Sequence, residues 1–202
     1  SYGQLGSTHH SIHDFATLRT INNMTIVAPA DNFEASEVIK QAVSYNKPLY
    51  IRYGKKPMMD IHPAGTKFKI GKSILVKKGE DLTIIATGET LQRAYLAYEI
   101  LKENNIHCSI ISMHTIKPFD KETFLEFSKN SKAILTIEEH SMFGGLGECC
   151  ANLIAQNNID TKLKILGIPD EYMINGSQSD VLDYYNMSPE RIVEISKDLL
   201  NK

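Results

Sequence analysis

The stretch "DLTIIATGETLQRAYLAYEILKENNIHCSIISMHT", from Asp81 to Thr115, places an amphipathic segment between two short apolar runs. Each run is rich in isoleucine, which is typical of a strand that is buried on both faces. The segment between them, Thr90 to Asn105, repeats apolar residues at helical spacing. A strand, a helix and a second strand in this order predict a β-α-β unit with parallel strands.

The same alternation continues toward the C-terminus. Ahead of the helix, Ser73 to Gly88 predicts two strands joined by a Lys-Gly-Glu-Asp turn. Later strands are predicted at 107–116, 133–139 and 163–168, and later helices at 120–130, 147–158 and 188–200. Continuous apolar strands that alternate with helices indicate a mostly parallel sheet covered on both faces. We therefore expect an α/β domain over residues 73–202.

A shorter α/β part precedes this domain. Its pattern predicts a strand at 24–30, a helix at 32–45 and a strand at 48–53, with Asp31 or Asn32 as the helix cap. The predicted buried stripe of the helix is Phe33, Val38, Ile39, Ala42 and Val43. Two strands are too few for a doubly wound domain, so we expect the remainder of this domain to lie outside the sequence.

The segment between the two parts follows neither the helix period nor the strand period. From Gly54 to Gly71 it is rich in lysine, glycine and proline, which is typical of a connection between domains. The predicted organisation is a first domain over residues 1–54, a linker over 55–72 and a second domain over 73–202.

Composition excludes several classes of function. The 202 residues carry a formal net charge of −2 with both signs interspersed, which argues against binding to nucleic acid or to an anionic membrane. No apolar run approaches the roughly 20 residues of a membrane span. The three cysteines, Cys108, Cys149 and Cys150, are too few and too poorly spaced for a disulfide framework or a zinc ribbon. We expect a soluble, cytoplasmic protein that acts on small molecules.

Three histidines, His9, His10 and His13, lie within five residues. A helix beginning near His10 would place His9 and His13 on one face, as zinc ligands require, although no third ligand is visible. Ordinary surface histidines are the second interpretation. The third is an anion or substrate site, because Gly6, Ser7 and Thr8 would let backbone amides and a hydroxyl approach a ligand.

Arg52 lies in the otherwise apolar run "LYIRY". A charged side chain in such a strand is unfavourable unless it has an anionic partner. One interpretation is an edge-strand arginine paired with a carboxylate. The other is a guanidinium at the carboxyl end of the strand that binds a phosphate through two parallel hydrogen bonds.

The segment "EEHSMFGGLGE", Glu138 to Glu148, follows a predicted strand and leads into a predicted helix. This is the usual context of a phosphate-binding glycine loop, but its spacing does not match the dinucleotide fingerprint. A tight turn with close packing is therefore the favoured interpretation. Glu138 and Glu139 alternate across the strand, so at most one of them can face a given site.

Four segments together resemble a known family. "GSTHHSIHDFATLRTINNMTIVAPAD", "PLYIRYG", "MHTIKPFD" and "EEHSMFGGLGE", in this order and spacing, are similar to the C-terminal part of the thiamine-diphosphate-dependent transketolases. The resemblance is closest to the split form, in which a separate subunit carries the pyrimidine-binding domain and the transketolase C-terminal domain. It covers essentially the whole chain. The fold it implies is α/β, with a partial pyrimidine-binding domain followed by a small, mostly parallel-sheet C-terminal domain.

The resemblance also implies substrate-binding residues. The family loop usually reads Asp-Gly-Pro-Thr-His-Gln, and Gly6, Thr8 and His9 match it here. The histidine of that loop helps to bind the substrate, so the same role is implied for His9. Arg52 matches the arginine that grips the substrate phosphate. Leu5 stands where the family commonly has an acid that contacts substrate hydroxyls, so the resemblance does not fix the donor and acceptor.

The implied activity is transfer of a two-carbon ketol unit between sugar phosphates. The glutamate that activates the cofactor is expected upstream of Ser1, so no catalytic residue is assigned here and the chain alone is not expected to be competent. Thiamine diphosphate and magnesium are expected on a partner chain or a missing N-terminal region. The implied partners are a second copy in a homodimer, an N-terminal diphosphate-binding subunit and a phosphorylated sugar.

Three alternatives remain open. The chain could be a non-catalytic assembly or regulatory module, because the cofactor-activating acid is not in it. It could also belong to a deoxyxylulose-phosphate synthase or to the β subunit of a 2-oxo-acid dehydrogenase. The segments "EEHSMFGGLGE" and "MHTIKPFD" resemble transketolase more than either enzyme.

Overall fold

The computed structural model describes residues 5, 6 and 8–201, which form eight strands and seven helices. The strands are β1 (Thr25–Val27), β2 (Leu49–Ile51), β3 (Ile74–Lys77), β4 (Leu82–Ala86), β5 (Cys108–Ser112), β6 (Thr115–Lys117), β7 (Ala133–Ser141) and β8 (Lys162–Ile168). The helices are α1 (Asp14–Arg19), α2 (Asn32–Ala42), α3 (Thr90–Glu103), α4 (Lys121–Asn130), α5 (Leu146–Gln156), α6 (Gln178–Tyr184) and α7 (Pro189–Asn201). No helix among these residues combines the length and apolar character needed to cross a membrane.

Five strands form the main sheet, in the order β3-β5-β4-β7-β8. All neighbours run parallel except β3, which pairs antiparallel with β5 at one edge. Ile84 packs in a buried cluster with α3 and α7, whereas Ile85 packs in a second cluster with α4 and α5. Both faces are therefore covered by helices, which confirms the predicted mostly parallel α/β sheet.

The single strand predicted at 107–116 is wrong, because the chain changes sheets in its middle. The Met113 amide still donates to the Ala86 carbonyl of β4 (2.8 Å), but the His114 carbonyl accepts from the Ala28 amide beyond β1 (2.7 Å). β6 then pairs antiparallel with β1 in a second sheet of order β2-β1-β6. The apolar run gives no sign of this transfer, because the new partner strand lies far away in the sequence.

The two halves of the chain consequently share one interior. Phe15, Ile26 and Ala28 from the first half pack in the same buried cluster as Ile85 and Phe124 from the second. Burying apolar side chains of both halves against each other stabilises the halves as a unit.

The segment between the halves contains neither helix nor strand over residues 52–73, yet it is anchored. Asp31, the N-cap of α2, accepts hydrogen bonds from the amides of Ile61 (3.0 Å) and His62 (3.2 Å) and from Nδ1 of His62 (2.7 Å). Nε2 of His62 lies 3.3 Å from Oε1 of Glu34, which also accepts from the hydroxyl of Ser112 in β5 (2.6 Å). This buried network joins the connecting segment, α2 and the main sheet.

The apolar stripe predicted for α2 is partly wrong. Val38 is fully buried, but Ile39 and Val43 are 51% and 89% exposed. Glu34 takes a buried position instead, where its carboxylate accepts from the Ala30 amide (2.7 Å) as well as from Ser112. The face of α2 that is buried therefore includes Glu34 and excludes Ile39 and Val43. The spacing of apolar residues cannot predict this, because it takes no account of polar partners.

Candidate functional site

Arg52 follows β2, an edge strand, and stands at its carboxyl end. Its Nη1 donates to Oδ1 of Asp14 (3.0 Å), and its Cζ lies 3.9 Å from the ring centroid of Phe15. The structure therefore gives Arg52 the carboxylate partner of the first interpretation. A cation stacked on a ring and tied to a carboxylate is held in one orientation.

Asp14 is the first residue of α1, where a negative charge is favourable. Its Oδ2 accepts from the hydroxyl of Tyr50 in β2 (2.9 Å), and its Oδ1 accepts from the Phe15 amide (2.9 Å) in addition to Arg52. Both carboxylate oxygens are thus engaged. The acid is a fixed support for the arginine.

Beneath Phe15 lies His140, at the end of β7. The two rings are stacked, with centroids 4.9 Å apart and an angle of 12° between their planes. Nδ1 of His140 donates to the Ser141 carbonyl (2.7 Å) and Nε2 accepts from the Ala16 amide (3.3 Å), which together select one neutral tautomer. Burial lowers the pKa of His140 to about 4, so the ring is uncharged at neutral pH. Arg52 and His140 both pack on the ring of Phe15, so side chains from both halves of the chain meet there.

A cavity of about 40 Å³ lies beside Arg52. It is lined from the carboxyl ends of several strands, which is where ligands of open α/β sheets usually bind. The lining residues include Arg52, Gly54, Gly88, Glu89, Glu139 and Gln178.

Two buried carboxyl groups face this cavity. Nε2 of Gln178 donates to Oε2 of Glu89 and, over 3.0 Å, to Oε2 of Glu139. Burial, and to a smaller extent the charge of Glu139, raise the pKa of Glu89 to about 7 against the opposing charge of Arg52. Sequence reasoning did not select Glu89. Its position just after β4, at the carboxyl end of a central strand, is the signal that could have found it.

Glu138 and Glu139 point in opposite directions, as the strand alternation predicts. Oε2 of Glu138 accepts from the Leu146 amide (2.6 Å) and Oε1 accepts from the Gly147 amide (2.8 Å). A Cβ on Gly145 would lie 2.0 Å from Oε2 of Glu138, so the glycine is needed for this close approach. The glycine segment is therefore a tight turn around a carboxylate of the same chain.

The described residues of the histidine stretch are not among those that line the Arg52 cavity. Gly6 is buried at φ +68°, and a Cβ there would lie 2.5 Å from Oδ1 of Asn175. Thr8 and His9 are exposed, with the Thr8 hydroxyl 3.0 Å from Nδ1 of His9. None of these three residues lines the cavity. Ser7 lies outside the described residues.

The helical spacing on which the zinc interpretation depends is not formed. Helix α1 begins at Asp14, with His13 as its N-cap, so His9 and His13 do not share a helical face. In the part of the chain that the structure describes, no group of three or more histidine, cysteine, aspartate or glutamate side chains could hold a metal ion. Burial lowers the pKa of His10, and the charge of Glu139 partly offsets this shift.

Comparison with known proteins gives two matches to family models. Residues 71–192 match the transketolase C-terminal domain. Residues 1–59 match the transketolase pyrimidine-binding domain.

Curated relatives resemble the chain over nearly its full length. One of the subunits of an apulose-4-phosphate transketolase from Phocaeicola vulgatus is 37% identical over 100% of the chain, which covers 64% of that protein. A putative transketolase C-terminal section from Methanocaldococcus jannaschii is 39% identical over 95% of the chain and is covered to 60%. A 1-deoxy-D-xylulose-5-phosphate synthase from Heliobacterium modesticaldum is 30% identical over 98% of the chain and is covered to 31%. The chain thus spans less than two thirds of each relative.

Solved structures share the fold. A split gene transketolase, described as an inactive β4 tetramer, superposes with a TM-score of 0.90 and is 27% identical in sequence. The match covers 97% of the present chain and 64% of the split transketolase chain. Transketolase from Campylobacter jejuni superposes with a TM-score of 0.71 and is 18% identical in sequence. The match covers 97% of the present chain and 29% of the Campylobacter chain.

Proposed function

The chain belongs to the transketolase family, and from this premise we propose that it is the C-terminal portion or subunit of a thiamine-diphosphate-dependent transketolase-like enzyme. That enzyme transfers a two-carbon ketol unit between sugar phosphates. The proposed role of this chain is to bind and orient the substrate. One relative is named as a transketolase subunit and another as a putative transketolase C-terminal section. These names support a role for the chain as one part of a larger enzyme.

The position of Arg52 carries the proposal. Asp14 accepts a hydrogen bond from Nη1 of Arg52 alone. The other guanidinium nitrogens of Arg52 can therefore donate to a substrate phosphate. Phe15 and Asp14 fix the side chain before the substrate arrives, which lowers the entropy lost on binding. A guanidinium held in this way suits bidentate recognition of a phosphate.

Gly6, Thr8 and His9 are proposed to contribute at the rim of the site. Gly6 adopts a left-handed backbone conformation and lies close to the side chain of Asn175. The His9 amide donates a hydrogen bond to the Gly6 carbonyl (3.0 Å), which forms a turn. The exposed Thr8 hydroxyl and His9 ring are then presented as a linked pair that can donate to and accept from substrate oxygens.

The described residues do not fit the diphosphate and magnesium of the cofactor at the glycine turn. The glycine turn at the start of α5 gives its Leu146 and Gly147 amides to Glu138, so they are not available to a diphosphate. No group of acidic or histidine side chains in the described part of the chain suits magnesium. We therefore propose that the diphosphate and magnesium are held mainly by an N-terminal partner subunit or by residues upstream, where the family resemblance also implies the activating glutamate.

Assembly is proposed on the same basis. The split transketolase of similar structure is described as inactive when it is a tetramer of its β chain, which supports the need for a second type of subunit. A homodimer of this chain within the complete enzyme remains our prediction. Sedimentation velocity at micromolar concentration tests it, and a stable monomer would contradict it.

The test of the function is Arg52→Ala in the assembled enzyme. We expect the KM for a ketose phosphate to rise about tenfold or more while kcat changes little, because a charge-assisted contact is lost. Arg191→Ala is the matched control, since Arg191 is also ion-paired and does not line this cavity. An unchanged KM in Arg52→Ala would defeat the assignment of Arg52.

A deoxyxylulose-phosphate synthase is the second candidate, because enzymes of that name are 30% identical over nearly the whole chain. A substrate scan with the assembled enzyme separates the two functions. Turnover of a ketose phosphate as donor favours ketol transfer, whereas turnover with pyruvate as donor favours the synthase or a 2-oxo-acid dehydrogenase. No turnover after mixing with a diphosphate-binding partner would favour a non-catalytic module.

A further inference from the structure

We propose that Arg19 is a positioning residue for the phosphate-binding arginine, Arg52. Its guanidinium fastens α1 to the glycine turn, residues 143–147, and α1 carries the two side chains that hold Arg52. The inference rests on the proposed function, because it deepens the role assigned there to Arg52. It also gives the glycine turn, which does not line the cavity, an indirect part in substrate binding.

Helix α1 has little stability of its own. It has only six residues, and its N-cap residue, His13, makes no side-chain hydrogen bond to the first turn. A helix this short is not stable without tertiary contacts. The positions of Asp14 and Phe15, its first two residues, are therefore set by the groups against which α1 packs.

Arg19 lies at the other end of α1 and reaches the second half of the chain. Its Nη1 donates to the carbonyl of Gly144 and, over 2.9 Å, to the carbonyl of Gly145. The side chain is half-buried, and a hydrogen bond from a charged donor is stronger than one between neutral groups. The two carbonyls therefore hold the C-terminal end of α1 against the glycine turn.

The glycine turn is a fixed support for this contact. The Gly144 amide donates to the carboxylate of Glu148 (2.7 Å), and Glu138 accepts from two further amides of the turn. Gly144 has φ +74°, and a Cβ on it would lie 2.5 Å from Cβ of Ala16 in α1. A glycine at this position lets the turn approach the helix closely without strain.

A second cation holds the backbone where α1 ends. Nζ of Lys117 in β6 donates to the carbonyls of Arg19 (2.7 Å) and Ile21 (2.6 Å). A positive charge is favourable at the carboxyl end of a helix. Since Lys117 keeps this attachment when the Arg19 side chain is removed, we expect α1 to shift against the turn and not to unfold.

Such a shift reaches Arg52 through Asp14 and Phe15, which precede Arg19 by little more than one turn of helix. Oδ1 of Asp14 accepts from Nη1 of Arg52 (3.0 Å), and the ring centroid of Phe15 lies 3.9 Å from its Cζ. Hydrogen bonds weaken steeply as their geometry worsens. A displaced α1 would therefore leave Arg52 with more freedom to lose when it binds a phosphate.

A double-mutant cycle in the assembled enzyme tests this coupling. We expect Arg19→Ala to raise the KM for a ketose phosphate such as fructose 6-phosphate about threefold, with little change in kcat. In an Arg52→Ala background the same substitution should leave KM unchanged, because the group that it positions is absent. Arg19→Lys should recover part of the loss, since an ammonium can still donate to a carbonyl. Arg191→Ala is again the control.

Gly144→Ala disturbs the same contact from the side of the turn. The added Cβ would meet Ala16 and would need a left-handed backbone conformation, so it separates the turn from α1 while Arg19 is retained. We expect a similar rise in KM that is also absent in the Arg52→Ala background. A general folding defect would instead lower kcat and persist in that background.

The outcomes separate this proposal from the proposed function. A rise in KM for Arg52→Ala with none for Arg19→Ala would overturn the positioning role and retain the phosphate role of Arg52. An Arg19→Ala effect of the same size in the Arg52→Ala background would also overturn it. An unchanged KM in Arg52→Ala would reject the phosphate role itself, and the positioning role with it.

Discussion

At the scale of single residues, Glu138 shows how a carboxylate can complete a helix from outside it. Helix α5 begins without a side-chain cap from its N-cap residue, Gly145. Glu138 supplies that function from β7 by accepting from two amides of the first turn, and these two bonds oppose the burial that raises its pKa to about 7. The acid is fully buried, so its loss would leave the amides of Leu146 and Gly147 without partners.

We predict that Glu138→Ala lowers the free energy of unfolding by about 3 kcal/mol, because two buried donors lose their acceptor. Glu138→Gln should cost less, since its one carbonyl oxygen can still accept. Glu148→Ala is the control, because Glu148 accepts from the Gly144 amide at an exposed position. Urea denaturation at neutral pH measures all three. A similar loss in Glu138→Ala and Glu148→Ala would contradict the capping role.

Phe15 tests whether the stack under Arg52 positions the guanidinium. We predict that Phe15→Leu raises the KM for a ketose phosphate about threefold with little change in kcat, because it removes a cation–π contact of roughly 0.5–1 kcal/mol. Phe124→Leu is the matched control, since Phe124 is equally buried in the same cluster and Arg52 does not stack on it. Steady-state kinetics of the assembled enzyme provide the comparison. A KM that rises equally in both variants would indicate a packing defect and not a positioning role.

At the scale of elements, the connection between the halves is held by polar contacts. Asp31 caps α2 and also binds the backbone and ring of His62. Burial by itself would raise the pKa of Asp31, but the hydrogen bonds from His62, Glu34 and Ile61 lower it to about 2. The charged form of Asp31 is therefore favoured by folding.

The sign of this shift gives a pH prediction. A folded pKa of about 2 against an ordinary value of 3.8 means that Asp31 stabilises the fold above pH 4. About 2 kcal/mol of stability should be lost as the pH falls from about 4 to about 2. We expect Asp31→Asn to be less stable than the unmodified chain at pH 6, and the difference to shrink over that interval. Thermal unfolding across pH 2–6 measures it, and a difference that stays constant would contradict the prediction.

The alternation of strands and helices was predictable because it depends on local periodicity. The transfer of the chain at Met113 and His114 was not, because it is decided by β1, which lies more than 80 residues away. Helix α6 also escaped prediction, although it begins with a capping box of Ser177 and Asp180, because the stretch is short and weakly periodic. The outward position of Ile39 and Val43 follows from the polar anchors of α2, which period analysis ignores.

Arg52 was predictable as a site residue because a charge in an apolar strand stands out in the sequence. Glu89, Glu139 and His140 become significant only when strand ends from distant segments meet. The assignments of Gly6, Thr8, His9 and Arg52 to substrate binding stay predictions, as do the domain limits, the homodimer and the cytoplasmic location.

At the scale of the whole molecule, the shared interior predicts cooperative unfolding. Residues from both halves fill one buried cluster, so neither half can unfold without exposing the apolar surface of the other. We expect residues 1–202 to unfold in one calorimetric transition, and residues 73–202 alone to unfold at a midpoint about 10 °C lower, because Ile85, Ile111 and Met113 lose part of the apolar surface that covers them. Differential scanning calorimetry of both chains measures this. Equal midpoints would contradict the shared interior.

The pairing of β6 with β1 constrains how relatives of this chain can be recombined. A chimaera joined within residues 55–72 would combine β1 of one parent with β6 of the other, and the side chains at 25–27 and 115–117 would have to match across the new pairing. Exchanging the two halves therefore requires grafting residues 115–117 together with the first half. The connection is a convenient place to join coding sequences, but the modules that can be swapped intact do not end there.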